Sequence, residues 1–153
     1  MTPTSQVSDR RARAGAATHG VLQFVFAGGT AYMAYVLASS GIVRGALVAW
    51  YVALAVVGAP TLVTIGVALL RSRRAAPPLL AVLTRTVRRC YWVAGGLLAA
   101  AIVGPVLGAL MGFVVAMPVV MSLVSAPSSL WYLKHFAATG SEHLGPPAPP
   151  QMV

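Results

Sequence analysis

Between Cys90 and Leu133 the chain runs for 44 residues without one formally charged side chain. As a single helix rising 1.5 Å per residue, that run would be about 66 Å long, twice the roughly 30 Å hydrocarbon core of a bilayer. It must therefore fold back, which predicts two helices joined by a very short turn. The turn is expected around Gly108 to Gly112; a break near Met117-Pro118 is the alternative. Water is the wrong solvent for such a chain. Only 8% of its residues are charged, against about 25% in ordinary soluble domains.

The remaining charges mark the other spans. Arg10, Arg11 and Arg13 precede a stretch free of formal charge until Arg44, and the next charge is Arg71. A helix needs about 20 apolar residues to cross a bilayer. The expected fold is an all-α, four-helix integral membrane bundle over 19–136, built as two hairpins. Its spans are expected at about 21–39, 46–70, 91–109 and 113–133.

Orientation follows from the cations. The net charge is +9, from 11 Lys and Arg against 2 Asp and Glu. Ten of the eleven basic residues fall on one expected side, with Arg44 alone on the other. The positive-inside rule then places both termini and the middle loop in the cytoplasm, in a multi-pass protein of the cell membrane. Tyr91, Trp92, Trp131 and Tyr132 mark that interface as aromatic anchors, and Tyr35, Trp50 and Tyr51 mark the opposite one. A cleaved signal peptide is the competing reading of the first span, with Val36-Leu37-Ala38 as the small-residue site. The apolar stretch from Val21 to Leu37 is longer than such a peptide needs.

The middle loop, 71–90, reads as basic and amphipathic. From Pro77 a helix, lying on the membrane or running into the third span, sets Leu79, Leu80, Leu83 and Val87 on one face and Arg85, Arg88 and Arg89 on the other. Topological anchoring explains those arginines; contact with anionic lipid headgroups is the sharper expectation. Nucleic acid is not an expected partner, because the arginines abut spans and are not interleaved with exposed aromatics. Residues 1–18 and 137–153 are expected to be disordered cytoplasmic tails, the second rich in proline. Pro146 to Pro150 favours an extended polyproline conformation able to enter an aromatic groove.

Within the spans, small residues recur every four positions at Gly96, Ala100, Gly104, Gly108 and Gly112, a helix-packing pattern that lets backbones approach closely. It serves packing within one protomer or against another subunit. Ser122, Ser125 and Ser129 share a face of the fourth span and form either interhelical or back-bonding hydroxyl contacts or a polar lining. Pro60, Pro105 and Pro127 are expected to kink their helices, with Thr61, Thr64 and the serines as partners for the freed carbonyls.

No Asp, Glu, Lys, Arg or His falls in the middle of a span, which argues against proton coupling and acid–base catalysis there. Cys90 beside Arg88 and Arg89 is either a spare thiol or one with a lowered pKa. His135 and His143 lack neighbouring ligands, so no metal, cofactor or catalytic residue is expected. The expected function is non-catalytic: an accessory or assembly subunit packing against a membrane-protein partner. A small, homo-oligomeric channel or facilitator is the alternative.

Overall fold

The computed structural model describes residues 3–41, 45–106 and 111–142. Among these residues all regular structure is helical. α1 is Pro3–Ser39, α2 Ala46–Ser72, α3 Pro77–Val106, α4 Met111–Val124 and α5 Ala126–Glu142. By length and composition, α1 over Asp9–Ser39 and α2 over Leu47–Ser72 are able to cross a membrane.

α1 and α2 form the most extensive helix pair. Buried positions on α1 step by four and three residues: Ala16, Gly20, Gln23, Ala27, Thr30, Ala34 and Leu37. α2 answers with Tyr51, Ala55, Gly58, Leu62, Ile65, Leu69 and Ser72. A mean step of 3.5 keeps a seam facing its partner over many turns. Small side chains along α1 let the two backbones close in. A Cβ placed on Gly66 would lie 2.9 Å from the Gly20 carbonyl oxygen. At the far end of this pair, Gly41 and Gly45 have φ of 69° and 66°. Glycine takes that conformation without the strain a side chain would bring.

α3 packs on α2, α4 and α5, and α4 also rests on α1. The main core joins Ala27, Leu62, Ile65, Leu69, Val87, Tyr91 and Leu133 from four helices. A smaller core toward the Gly41 end holds Leu37, Tyr51, Leu54 and Ala101.

The structure bears on the expected boundaries in three places. First, α1 begins at Pro3, so the stretch 3–18, expected to be disordered, is helical. The reason is a third core, where Ala12 and Ala16 pack with Leu80 of α3 and Phe136 of α5. An Asp9–Arg13 ion pair at 2.7 Å adds an i,i+4 contact on the same helix. The polarity of this segment hid an alanine stripe that tertiary packing uses. The C-terminal boundary moves likewise, since α5 continues past 137 to Glu142. Residues 143–153 lie outside the described part of the chain.

Second, α3 starts at Pro77 and runs without interruption to Val106. Of the two placements expected for the amphipathic segment, it takes the one continuous with the expected third span, as the first half of this helix. Third, the expected fourth span, 113–133, is two helices with a break at Ser125. Pro127 has no N–H to give the Leu123 carbonyl, and the chain breaks just before it. α4 meanwhile passes through Pro118 without ending, so the chain does not turn at Met117-Pro118. The expected turn at 108–112 falls largely on residues outside the description, between the end of α3 and the start of α4.

Candidate functional site

The break between α4 and α5 lies beside a buried amide. Gln23, on the inward seam of α1, is fully buried. Its Oε1 accepts from Ser122 Oγ at 2.7 Å, and its Nε2 donates to Ser125 Oγ at 3.1 Å. Ser125 Oγ in turn donates to the Ser122 carbonyl at 2.7 Å, and Ser129 Oγ to the Ser125 carbonyl at 3.0 Å. Each of these carbonyls also accepts from a backbone N–H, of Ser125 and Ser129 respectively. The hydroxyls thus give a second donor to carbonyls flanking the break, where the helical ladder is irregular. Gln23 ties α1 to this reinforced joint.

Tyr91 joins the group from α3. Its side chain is 8% exposed, and its hydroxyl faces Ser122, Ser125 and Ser129. Among the described residues it nevertheless has no hydrogen-bond partner. This buried position differs from the interfacial anchoring expected of Tyr91. Tyr51 differs in the same way, being buried in the smaller core. Trp92, beside Tyr91 in sequence, points outward at 76% exposure. Ser128, off the serine face, is exposed.

Helical periodicity brings the three serines to one face, but a search of the spans for charges passes over Gln23. An amide is uncharged, yet burial without partners costs it about 2–7 kcal/mol, depending on the reference state. The signal that identifies it is periodic. Gln23 continues the series Ala16, Gly20, Ala27 and Thr30, whose other members are small and buried.

The glycine stripe of α3 is placed differently from the serines. Gly96 lies on an exposed face, where an added Cβ would meet nothing within 4 Å. Ala100 is half-buried against the smaller core. Gly104 and Gly112 fall within α3 and α4, where only the helical backbone is described, and Gly108 lies outside the described residues. Among the described residues, a close contact between two glycines falls instead between Gly20 and Gly66.

The kink-relieving threonines also bond elsewhere than expected. Thr61 donates to the Val57 carbonyl at 2.7 Å and Thr64 to the Pro60 carbonyl at 2.8 Å. Pro60 leaves open the carbonyl four residues back, Val56, which neither of these bonds serves.

At the basic end, Arg85, Arg88 and Arg89 are all exposed, while Leu80 and Val87 on the opposite face are buried. Arg71, Arg73 and Arg74 are exposed too and line a groove with Val67 and Leu70. His135 stacks on Trp131, with ring centroids 5.2 Å apart, and its Nε2 lies 4.0 Å from Asp9 Oδ1. Cys90 stands just before the expected third span. Burial pushes its thiol up from its ordinary pKa, opposite to the activation that neighbouring arginines would bring. Among the described residues, no three His, Cys, Asp or Glu side chains come together as metal ligands.

No family model, curated protein or solved structure matches this chain. Its own residues carry the functional reading.

Proposed function

We propose that the chain is a non-catalytic, multi-pass protein of the cell membrane that works as an accessory or assembly subunit. α1, α2, α3 and the α4–α5 pair make the four crossings. Both termini and the arginine-rich end face the cytoplasm, and the basic helical ends project from the bilayer. The length of α1 supports this: its 37 residues reach about 55 Å, far beyond a hydrocarbon core of about 30 Å.

The observation that carries the subunit reading is the inversion of polarity across the bundle. Gln23 and its serines are turned inward and bond to one another. Trp92, Tyr35, Val56 and Val25 are turned outward and exposed. A soluble protein rarely leaves so much apolar surface bare, and such surface marks a membrane or partner contact. Beside Trp92 and Val93, both exposed, Gly96 leaves open space for a close helix. Small residues of this kind favour helix–helix approach within a bilayer.

Purification from membranes in mild detergent, followed by mass spectrometry, tests the reading. Stable heterologous partners are the expected result, with Gly96→Leu releasing them. A homo-oligomer without partners that passes solute in liposomes would favour the channel or facilitator. A monomer that neither retains a partner nor passes solute would overturn both.

A further inference from the structure

The groove at the basic end of α2 differs chemically from the rest of the surface. Val67 and Leu70 form its apolar floor, and Arg71, Arg73 and Arg74 its rim. Three guanidinium groups within four positions present only donors, in a planar fork suited to phosphate oxygens. Asp9, the acid whose side chain is described, does not pair with them and is engaged by Arg13. The carbonyl end of α2 contributes about half a negative charge. That offsets only part of three positive charges.

Below the rim one face of α2 stays apolar. Val67, Val63, Pro60 and Val56 succeed one another at steps of three and four; Val67 is half-buried and the others are exposed. From Val67 to Val56 the helix rises about 16 Å, close to the roughly 15 Å depth of one leaflet's hydrocarbon. A phosphate alone would use the rim and leave this track bare. An acyl chain attached to the phosphate would cover it.

We propose that this groove binds an anionic phospholipid, its phosphate held by Arg71, Arg73 and Arg74 and one acyl chain lying along Val67 and Val63. The proposal rests on the membrane reading above. It goes beyond that reading by assigning a ligand to residues other than the Arg85, Arg88 and Arg89 face. Because Arg71 belongs to the last turn of α2 and Arg73 caps it, the rim is anchored to the helix.

The test uses the full-length chain, purified in mild detergent and titrated with phosphatidylglycerol or phosphatidylcholine under native mass spectrometry. Phosphatidylglycerol is expected to remain bound where phosphatidylcholine does not. Replacing Arg71, Arg73 and Arg74 together by Gln should weaken retention on the order of a hundredfold, from the usual contribution of each basic residue near anionic lipid. The same replacement at Arg10, Arg11 and Arg13, which are exposed on α1, removes equal charge away from the groove and should leave retention within about threefold, so the groove and simple net charge predict different results. Val67→Asn, which keeps every arginine, should also weaken retention. Arg74→Gln alone covers the case in which the triple variant misassembles.

Equal loss in both triple variants would overturn the site, as would unchanged binding in R74Q and V67N. Displacement by millimolar inorganic phosphate would overturn the lipid and leave an anion site. Carbonate extraction of the wild-type chain from native membranes reads the membrane assignment separately. Release into the soluble fraction would defeat that assignment, whereas retention without bound phosphatidylglycerol would defeat the groove alone.

Discussion

Gln23 Oε1 accepts a hydrogen bond from Ser122 Oγ at 2.7 Å, across 99 positions of sequence. The bond joins the middle of α1 to the end of α4, just before the chain breaks. Interhelical polar bonds in an apolar medium average about 0.6 kcal/mol and reach about 1.7. Gln23→Leu and Ser122→Ala, measured singly and together by unfolding in detergent, should therefore show a coupling of about 0.5–1.5 kcal/mol. Additive effects would mean that the two side chains do not cooperate in the folded bundle.

The two glycine environments predict opposite responses to one methyl group. At Gly66 the new carbon would sit 2.9 Å from the Gly20 carbonyl oxygen, so the backbones of α1 and α2 must separate. Gly66→Ala should cost about 1–3 kcal/mol, in the range of an overpacked core. Gly96 has open space around it. Gly96→Ala should leave the isolated chain unharmed and gain up to about 1 kcal/mol of helix propensity. Thermal melts of both variants check this, and a Gly66→Ala variant as stable as the wild type would contradict the close crossing.

Legibility in the sequence followed the kind of force at work. Solvent partition acts on whole segments, so α2 lies at Ala46–Ser72, against an expected 46–70. Side-chain period is also local, and it brings Ser122, Ser125 and Ser129 to one face. What stays hidden depends on distant residues. Ala12 and Ala16 become core residues because Leu80 and Phe136 arrive from elsewhere. Tyr91 turns inward toward a serine face, while Trp92, its sequence neighbour, stays outside. Aromatic type alone does not separate those two. The break at Ser125 is half legible. Pro127 announces a defect, but proline predicts a kink more readily than the residue at which a helix stops.

Cys90 offers a prediction in pH. Burial disfavours the thiolate, so the pKa in the folded chain lies above that of a free thiol. At neutral pH the thiolate fraction is then lower than in the unfolded chain, and alkylation should be slower in the native protein. The native rate should keep rising with pH after the denatured rate has levelled off. Stability follows the same sign. The neutral thiol's advantage is fully present below the unfolded value and is lost as pH rises through the folded one. Maleimide labelling with and without denaturant measures the difference. Faster labelling of the native chain at neutral pH would show that Arg88 and Arg89 outweigh burial.

The unbonded hydroxyl of Tyr91 gives the sharpest stability test. It is buried among polar atoms that are engaged elsewhere: Ser122 Oγ donates to Gln23, Ser125 Oγ to the Ser122 carbonyl, and Ser129 Oγ to the Ser125 carbonyl. Those serine oxygens retain lone pairs, but Tyr91 does not reach them in bonding geometry. A buried polar group without a partner costs about 1–3 kcal/mol. Tyr91→Phe removes the hydroxyl and keeps the ring that packs with Leu62, Ile65 and Val87 in the main core. It should therefore stabilise the bundle, by up to about 1–3 kcal/mol, whereas Tyr91→Ala loses the ring and should destabilise it by about 3–5 kcal/mol. Chemical or thermal unfolding of the three proteins in the same detergent separates the two contributions. A destabilised Tyr91→Phe would mean that the hydroxyl is bonded in the membrane-embedded protein, with a water bridging it to the serines as the simplest arrangement.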